Sequence, residues 1–415
     1  MKRRGRPDLP AIEGGTPVRR GLLPYGQQWI SDEDVRAVVR VLRAERITQG
    51  PKVQQFEEKV ASYCGARYAV AVSSGTAALH LACLAAGIHV GNEVITSPLS
   101  FVASANCVLY CGGRPVFADI EESTGLLDVK EVERRVTPRT VGIIPVHYAG
   151  LPCPMKDLAA IARRHKLLII EDAAQALGAA YRTGSGGGAG SGWVKVGGCS
   201  HSDMTILSFH PVKSITTGEG GMILTNHAEL ADRLRRLRTH GVARNSQPRK
   251  GSWYFEMLDL GFNYRLTDIQ SALGLSQLRR LDRFIERRRE IATRYHRALH
   301  DLRDWMTLPF WPPTQSIKHA WHLFPIRLNL EKFRVGRAKI FDALVAENIG
   351  VNVHHIPIHL HPYYRRTFGY REGDYPVAER FFQRVLTLPL FPRMRQTDVE
   401  DVVEAVRKVI AYYAV

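Results

Sequence analysis

Lys213 stands in SDMTILSFHPVKSITTGEGGMILTN (202–226), where an apolar run leads through Ser208, Phe209 and His210 into a Thr- and Gly-rich turn. An amine held among apolar neighbours loses solvation, becomes easier to deprotonate, and can then attack a carbonyl carbon. Ser208 could offer its hydroxyl to an anion nearby. Most lysines do no chemistry, so the surroundings single this one out. Asp172 closes the apolar run LLIIED, and ligands of open α/β sheets bind beyond the carboxyl ends of strands. A carboxylate there could hold a protonated ring nitrogen of a cofactor, or it could simply cap a helix. Glu171 beside it is the weaker candidate. A third feature is Ser73-Ser74-Gly75-Thr76 between an apolar run and a helical segment. Amides at a helix N-terminus attract anions, and Gly75 lets backbone approach closely. Serine, glycine and threonine are also ordinary capping and turn residues.

The elements that must position these groups follow an alternating order. ARYAVAV (66–72), NEVITSP, RPVFADI, TVGIIPVHY and KLLIIEDAA read as strands. SGTAALHLACLAAG (74–87), SFVASANCVLYCGG and PMKDLAAIARRHK read as helices between them. Strands this apolar are buried on both faces, as in a parallel sheet covered by helices, so the class is α/β. TGSGGGAGSG (183–192) is expected to be a flexible loop. A long helical pattern covers about 267–300, and Pro309, Pro312 and Pro313 then break the chain. HLFPIRLNL starts a new strand, followed by a helix (335–348), a strand at VNVHHIPI and two further helices. The division expected is a tail at 1–22, a large domain at 23–300 that includes the linking helix, and a small α+β domain at 301–415.

The chain has 415 residues, 45% hydrophobic and 23% charged, as in ordinary globular proteins. No apolar stretch reaches the ~20 residues of a membrane helix. The start, MKRRGRPDLPAIEGG, lacks an apolar core, so no signal peptide is expected. Six cysteines without a paired framework suggest reduced thiols in the cytoplasm. Cys107 and Cys111 lie one helical turn apart, but no second pair completes a zinc spacing. The net charge of +17 is most concentrated in the arginines of RLRRLR (233–238) and RRLDRFIERRRE (279–290), whose interleaved leucines and acids read as solvated helix faces. Such a surface fits either attraction of an anionic substrate or a plain arginine-rich exterior with no specific role; nucleic-acid binding is not favoured, and no membrane partner is expected.

Taken in order, SSGTAALH, SFVAS, EDAAQALGA, SFHPVKSITTGEGGM and LGFNYRLTDIQSALGLSQL resemble the DegT/DnrJ/EryC1/StrS family of sugar aminotransferases, which depend on pyridoxal 5'-phosphate (PLP). The likeness runs from LPYGQQ (23–28) nearly to the C-terminus. The first twenty residues and the glycine-rich loop depart from the family pattern. The resemblance implies an aspartate aminotransferase-like α/β fold (fold type I), with a mostly parallel central sheet and a smaller C-terminal domain. It implies that Lys213 carries the cofactor covalently, that Asp172 faces its pyridine nitrogen and that Gln175 lies near the ring hydroxyl. It assigns the phosphate to Gly75, Thr76 and Ser208, and ring stacking to Phe101 of SFVAS. Asn263 of FNYRL would reach the phosphate of a neighbouring subunit, which implies a homodimer with shared sites. Read without the family, Phe101 could be core packing and Asn263 a turn residue.

ITQGPKVQQFE (47–57), WYFEMLDLGFNYR (253–265) and IGVNVHHIPIHLHPYYR (349–365) narrow the resemblance to members that aminate C4 of a UDP-linked 4-keto-6-deoxy-N-acetylhexosamine, with L-glutamate as donor. Another nucleotide-linked keto sugar is the alternative. Relatives that dehydrate sugars have a histidine where Lys213 stands, so transamination is favoured. A regulatory or nucleic-acid-binding protein that keeps the fold without turnover is the reading from another class. Such a protein would stay colourless with PLP and bind DNA with steep salt dependence. His354, His355, His359 and His361 have no carboxylate or cysteine among them, so sugar contact or packing is expected ahead of a metal.

Overall fold

The computed structural model describes residues 9–183, 192–244 and 251–415. Its centre is a sheet of seven strands, numbered here β1 (Tyr68–Val72), β2 (Glu93–Thr96), β3 (Arg114–Phe117), β4 (Thr140–Ile144), β5 (Leu168–Asp172), β6 (Met204–Ser208) and β7 (Gly221–Thr225). Their order across the sheet is β1-β7-β6-β5-β4-β2-β3. The β6-β5, β5-β4, β4-β2 and β2-β3 pairs are parallel, and only β7 runs against its two neighbours. This is the mostly parallel α/β sheet expected.

Helices cover both faces, which explains why β2 and β7 are buried along their whole length. The helix Gly75–Ala85 is made of small and aliphatic residues and buries eight of its eleven side chains. Ser74 starts it, its Oγ accepting the Ala77 N–H at 3.1 Å. Register then decides where the site forms. Gly221, the first residue of β7, pairs with Val72 of β1 and with Ser208 of β6. The carboxyl ends of β1, β6 and β5 therefore meet at one edge of the sheet.

The pattern at 267–300 is two helices, Asp268–Leu278 and Leu281–Ala298, because Arg280 leaves helical geometry at φ −106°, ψ 1°. The second helix joins two cores. Leu281 and Phe284 belong to the core under the large sheet. Ile291, Ala292 and Tyr295 belong to a core with Phe324, Ile326, Leu386, Val402 and Ile410. That second core lies against a three-stranded antiparallel sheet of Met306–Thr307, Phe324–Leu328 and Val385–Leu388.

Two expectations for the C-terminal part need correction. VNVHHIPI is not a strand: only Asn352 bridges to Thr387, and the chain then leaves the ladder. His354 turns its Nδ1 to the Thr387 hydroxyl at 2.9 Å, Pro357 has no N–H to give, and the Ile358 N–H goes to the Pro98 carbonyl at 2.8 Å. Val385–Leu388, conversely, is a strand that the periodicity did not show, and it is fully buried. VNVHHIPI is followed by the helices Pro362–Phe368, Pro376–Arg384 and Gln396–Tyr413, one more than expected. Of the glycine-rich stretch, residues 184–191 lie outside the described residues; Ala180–Arg182 and Trp193–Lys195 pair on either side of it. No described helix is long and apolar enough to cross a membrane.

Candidate active site

Two neighbouring carboxylates at the end of β5 have opposite fates, because successive strand residues face opposite sides of a sheet. Glu171 points into the protein. It accepts hydrogen bonds from Thr205 Oγ1 at 3.0 Å, from the Ser202 hydroxyl and from His147 Nε2 at 2.7 Å. His147 Nδ1 accepts the Cys153 N–H at 2.9 Å, which leaves Nε2 to meet Glu171. Glu171 is thus fully engaged as a structural group. Asp172 faces the sheet edge. Its Oδ2 accepts the Ser104 hydroxyl at 2.6 Å, and Oδ1 accepts the Ala174 N–H at a longer 3.2 Å. Ser104 in turn shares a 2.7 Å hydrogen bond with Ser100. An ionised carboxylate can accept about four hydrogen bonds, so Asp172 keeps acceptor capacity for another donor.

Lys213 lies in the turn between β6 and β7, partly buried, with its N–H on the His210 carbonyl at 2.9 Å. Burial pushes its ammonium down to about 8, the Arg288 guanidinium pushes the same way, and the Asp172 carboxylate opposes both. About a tenth of the amine is therefore free at pH 7, far more than for an ordinary lysine. His322, His354 and His355 share this space. Burial, with the nearby Lys213 charge, drives His322 and His355 well below the usual imidazole value and His354 to about 4. These rings are neutral, and the buried His322 Nδ1 and His355 Nε2 have no partner among the described residues.

Glycine makes the anion cradle possible. A Cβ on Gly75 would stand 3.0 Å from the Ser208 Cβ and 3.2 Å from its Oγ; one on Gly221 would meet the Ser74 carbonyl oxygen at 2.3 Å. The start of the helix Gly75–Ala85, with Thr76 in its first turn, is thereby pressed against the end of β6. Phe101 is 61% exposed, so core packing does not account for it. Its ring lies 6.3 Å from that of His355. Gln175 accepts the N–H of Ala149 at 2.7 Å, holding a residue with φ +57°.

Asn263 is exposed and bridges Thr239 through its backbone. The adjacent Tyr264 carbonyl takes the Ser73 N–H at 2.8 Å.

Four residues of this site were not singled out by sequence reasoning: Ser100, Ser104, His322 and Arg288. A signal existed for three of them. Ser100 and Ser104 recur at a helical spacing around SFVAS. Arg288 falls on the stripe of Phe284, Ile291 and Tyr295, where an apolar residue belongs. His322 had no signal of its own.

A buried amine, a carboxylate braced by serine, a cradle of amides and hydroxyls, and an open aromatic face can together hold a phosphorylated heteroaromatic aldehyde. Known proteins agree with that chemistry. The DegT/DnrJ/EryC1/StrS aminotransferase family model matches residues 28–407. The spore coat polysaccharide biosynthesis protein SpsC of Bacillus subtilis is 43% identical over 396 residues, 94% of this chain and 98% of that protein. Helicobacter pylori PseC, an aminotransferase involved in the biosynthesis of pseudoaminic acid, superposes with a TM-score of 0.85 at 31% identity, covering 94% of this chain and 100% of PseC. The PLP-form of Spr1654, a putative sugar aminotransferase from Streptococcus pneumoniae, gives a TM-score of 0.85 at 28% identity, with 94% and 99% covered. A match running almost end to end in both sequence and fold places the chain in the DegT/DnrJ/EryC1/StrS family, whose aminotransferases depend on PLP.

Proposed function

We propose that the chain moves the amino group of L-glutamate to C4 of a UDP-linked 4-keto-6-deoxy-N-acetylhexosamine, as UDP-4-amino-4,6-dideoxy-N-acetyl-β-L-altrosamine transaminases of pseudaminic acid biosynthesis do. The observation that carries the aminotransfer chemistry is the Lys213 amine, lowered to about 8, within the field of Asp172. The choice of sugar rests on the likeness to PseC and on IGVNVHHIPIHLHPYYR.

In this reading Lys213 would hold the cofactor, and its free amine would move a proton from the α-carbon of the donor as a general base. Bound PLP supplies an electron sink for the pair left by the broken C–H bond. Asp172, kept in place by Ser104, holds the pyridine nitrogen protonated. Gly75, Thr76 and Ser208 hold the phosphate, Gln175 meets the ring hydroxyl, and Phe101 covers one ring face. Glutamate would leave as 2-oxoglutarate while the C4 ketone of the sugar becomes an amine, with Lys213 moving the proton at each carbon. Asn263 completes the phosphate site of a second subunit. Exposure of Trp253, Phe255, Met257, Leu258 and Leu260 just before Asn263 supports a homodimer with shared sites.

Gly75→Ala tests the cradle. The added methyl must displace Ser208, at a cost of about 1–3 kcal/mol. PLP affinity should fall roughly tenfold or more, measured by equilibrium dialysis, and unchanged affinity would remove Gly75 from the phosphate site.

A second sugar has support of its own, since identity to the spore coat protein SpsC is 43% against 31% to PseC. Assaying UDP- and dTDP-linked 4-keto and 3-keto sugars with glutamate, with product stereochemistry, separates the two. Preference for the UDP-linked 4-keto N-acetyl sugar supports the reading; preference for another member of the panel replaces it with an aminotransferase for that keto sugar.

A further inference from the structure

Arg288 is 1% exposed, yet among the described residues no carboxylate pairs with it. Buried guanidinium groups are ordinarily paired with anions, because an unpaired ion keeps its full desolvation cost. Here the acceptors are backbone carbonyls from separate parts of the chain: Leu390 at 2.7 Å, His322 at 3.2 Å, Trp321 at 3.4 Å and Val212 at 3.5 Å. Nε is buried without a partner. Carbonyl dipoles satisfy donors but do not neutralise a charge, so the positive field of Arg288 reaches its surroundings.

Those carbonyls are not incidental. Val212 directly precedes Lys213. Leu390 follows the strand Val385–Leu388. Trp321 sits at φ +49°, a left-handed backbone that a bulky side chain adopts only when its surroundings enforce it. Arg288 holds the Trp321 carbonyl, and the next residue, His322, brings its ring towards Lys213. One side chain thus ties the lysine turn to the segments that enter and leave the small sheet. Around Lys213 the charged and titratable groups are Asp172, Arg288, His322, His354 and His355. The three histidines are neutral, so Arg288 is the one cation among these groups that opposes a charge on the lysine.

We infer that Arg288 is a positioning residue for the reaction, fixing the Lys213 turn against the His322 segment while its uncompensated charge disfavours a second cation on the lysine. The inference rests on Lys213 being the residue that carries the cofactor.

The test uses the full-length chain with Arg288→Gln, which removes the charge, and Arg288→Lys, which keeps the charge and loses the planar fork. In cofactor-free protein, acetylation of Lys213 by acetic anhydride is followed against pH by peptide mass spectrometry. The wild-type midpoint should fall near 8. Arg288→Gln should raise it by about one unit, and Arg288→Lys should leave it within about 0.3 unit. In the holoenzyme, Arg288→Lys should lower kcat roughly tenfold with little change in KM, because a compact ammonium cannot reach all the carbonyls. An unmoved midpoint in Arg288→Gln, or equal movement in both variants, overturns the inference. Should Arg288→Gln fail to fold, Arg288→Lys decides alone: wild-type kcat overturns the inference, and a kcat loss at constant midpoint supports it. Borohydride trapping of the cofactor on the wild type keeps the two levels apart. An adduct on another lysine sinks the functional reading and this inference with it; an adduct on Lys213 confines any failure to Arg288.

Discussion

Lys213→Ala is expected to lower aminotransfer at least about ten-thousandfold, the upper range for loss of a positioned general base, with loss of the covalent cofactor link added. The protein should still fold. Among the described residues Lys213 makes no side-chain ion pair or hydrogen bond that an alanine would leave orphaned, and its partly buried ammonium is already disfavoured where it stands. Thermal unfolding of the cofactor-free protein should therefore be unchanged or slightly raised. PLP should still bind through the cradle, but without the lysine-linked absorption band. Single-turnover kinetics with glutamate measure the chemical step directly. A variant that keeps wild-type turnover would show that another amine does the work.

The second large effect separates the two carboxylates of β5. Asp172→Asn keeps shape and can still accept the Ser104 hydroxyl, but it removes the charge that would hold the pyridine nitrogen protonated. A hydrogen bond to a charged group is worth about 1.5–3 kcal/mol, which corresponds to roughly 10- to 150-fold in rate. Loss of the ring proton adds to that, so kcat should fall roughly hundredfold or more with folding intact. Glu171→Gln should do the reverse. It replaces a buried anion that accepts from His147, Ser202 and Thr205 with an amide whose NH2 cannot accept, so a donor left unpaired should cost about 1–3 kcal/mol of stability and the chemistry of surviving protein should change little. Urea unfolding and kcat measured on both variants check this. If Asp172→Asn destabilised the protein and Glu171→Gln halted catalysis, the roles would be exchanged.

Much of this architecture was legible because burial on both faces forces strands into unbroken apolar runs. β1, β4, β5 and β6 were read that way, and the Lys213 turn and the Gly75 cradle fall where such runs end. The order of the motifs then specified the family. What escaped has physical reasons. Val385–Leu388 is four residues long, too short for a buried strand to be told from a buried helix by period. VNVHHIPI has the composition of a strand, but side-chain bonding of His354 and the missing N–H of Pro357 end its pairing. Arg280 breaks a pattern that stays amphipathic on both sides of it. Arg288 sat inside a run of arginines that reads as a solvated face, and its burial follows from a tertiary meeting of three distant segments. Ser104 escaped because its partner Asp172 lies 68 residues away.

Reduction of the coloured holoenzyme with sodium borohydride, followed by proteolysis and peptide mapping, addresses the central claim most directly. The account predicts a stable pyridoxyl group on the peptide containing Lys213 and on no other. Recovery of that group on a different lysine, or complete release of the cofactor after reduction, would contradict it.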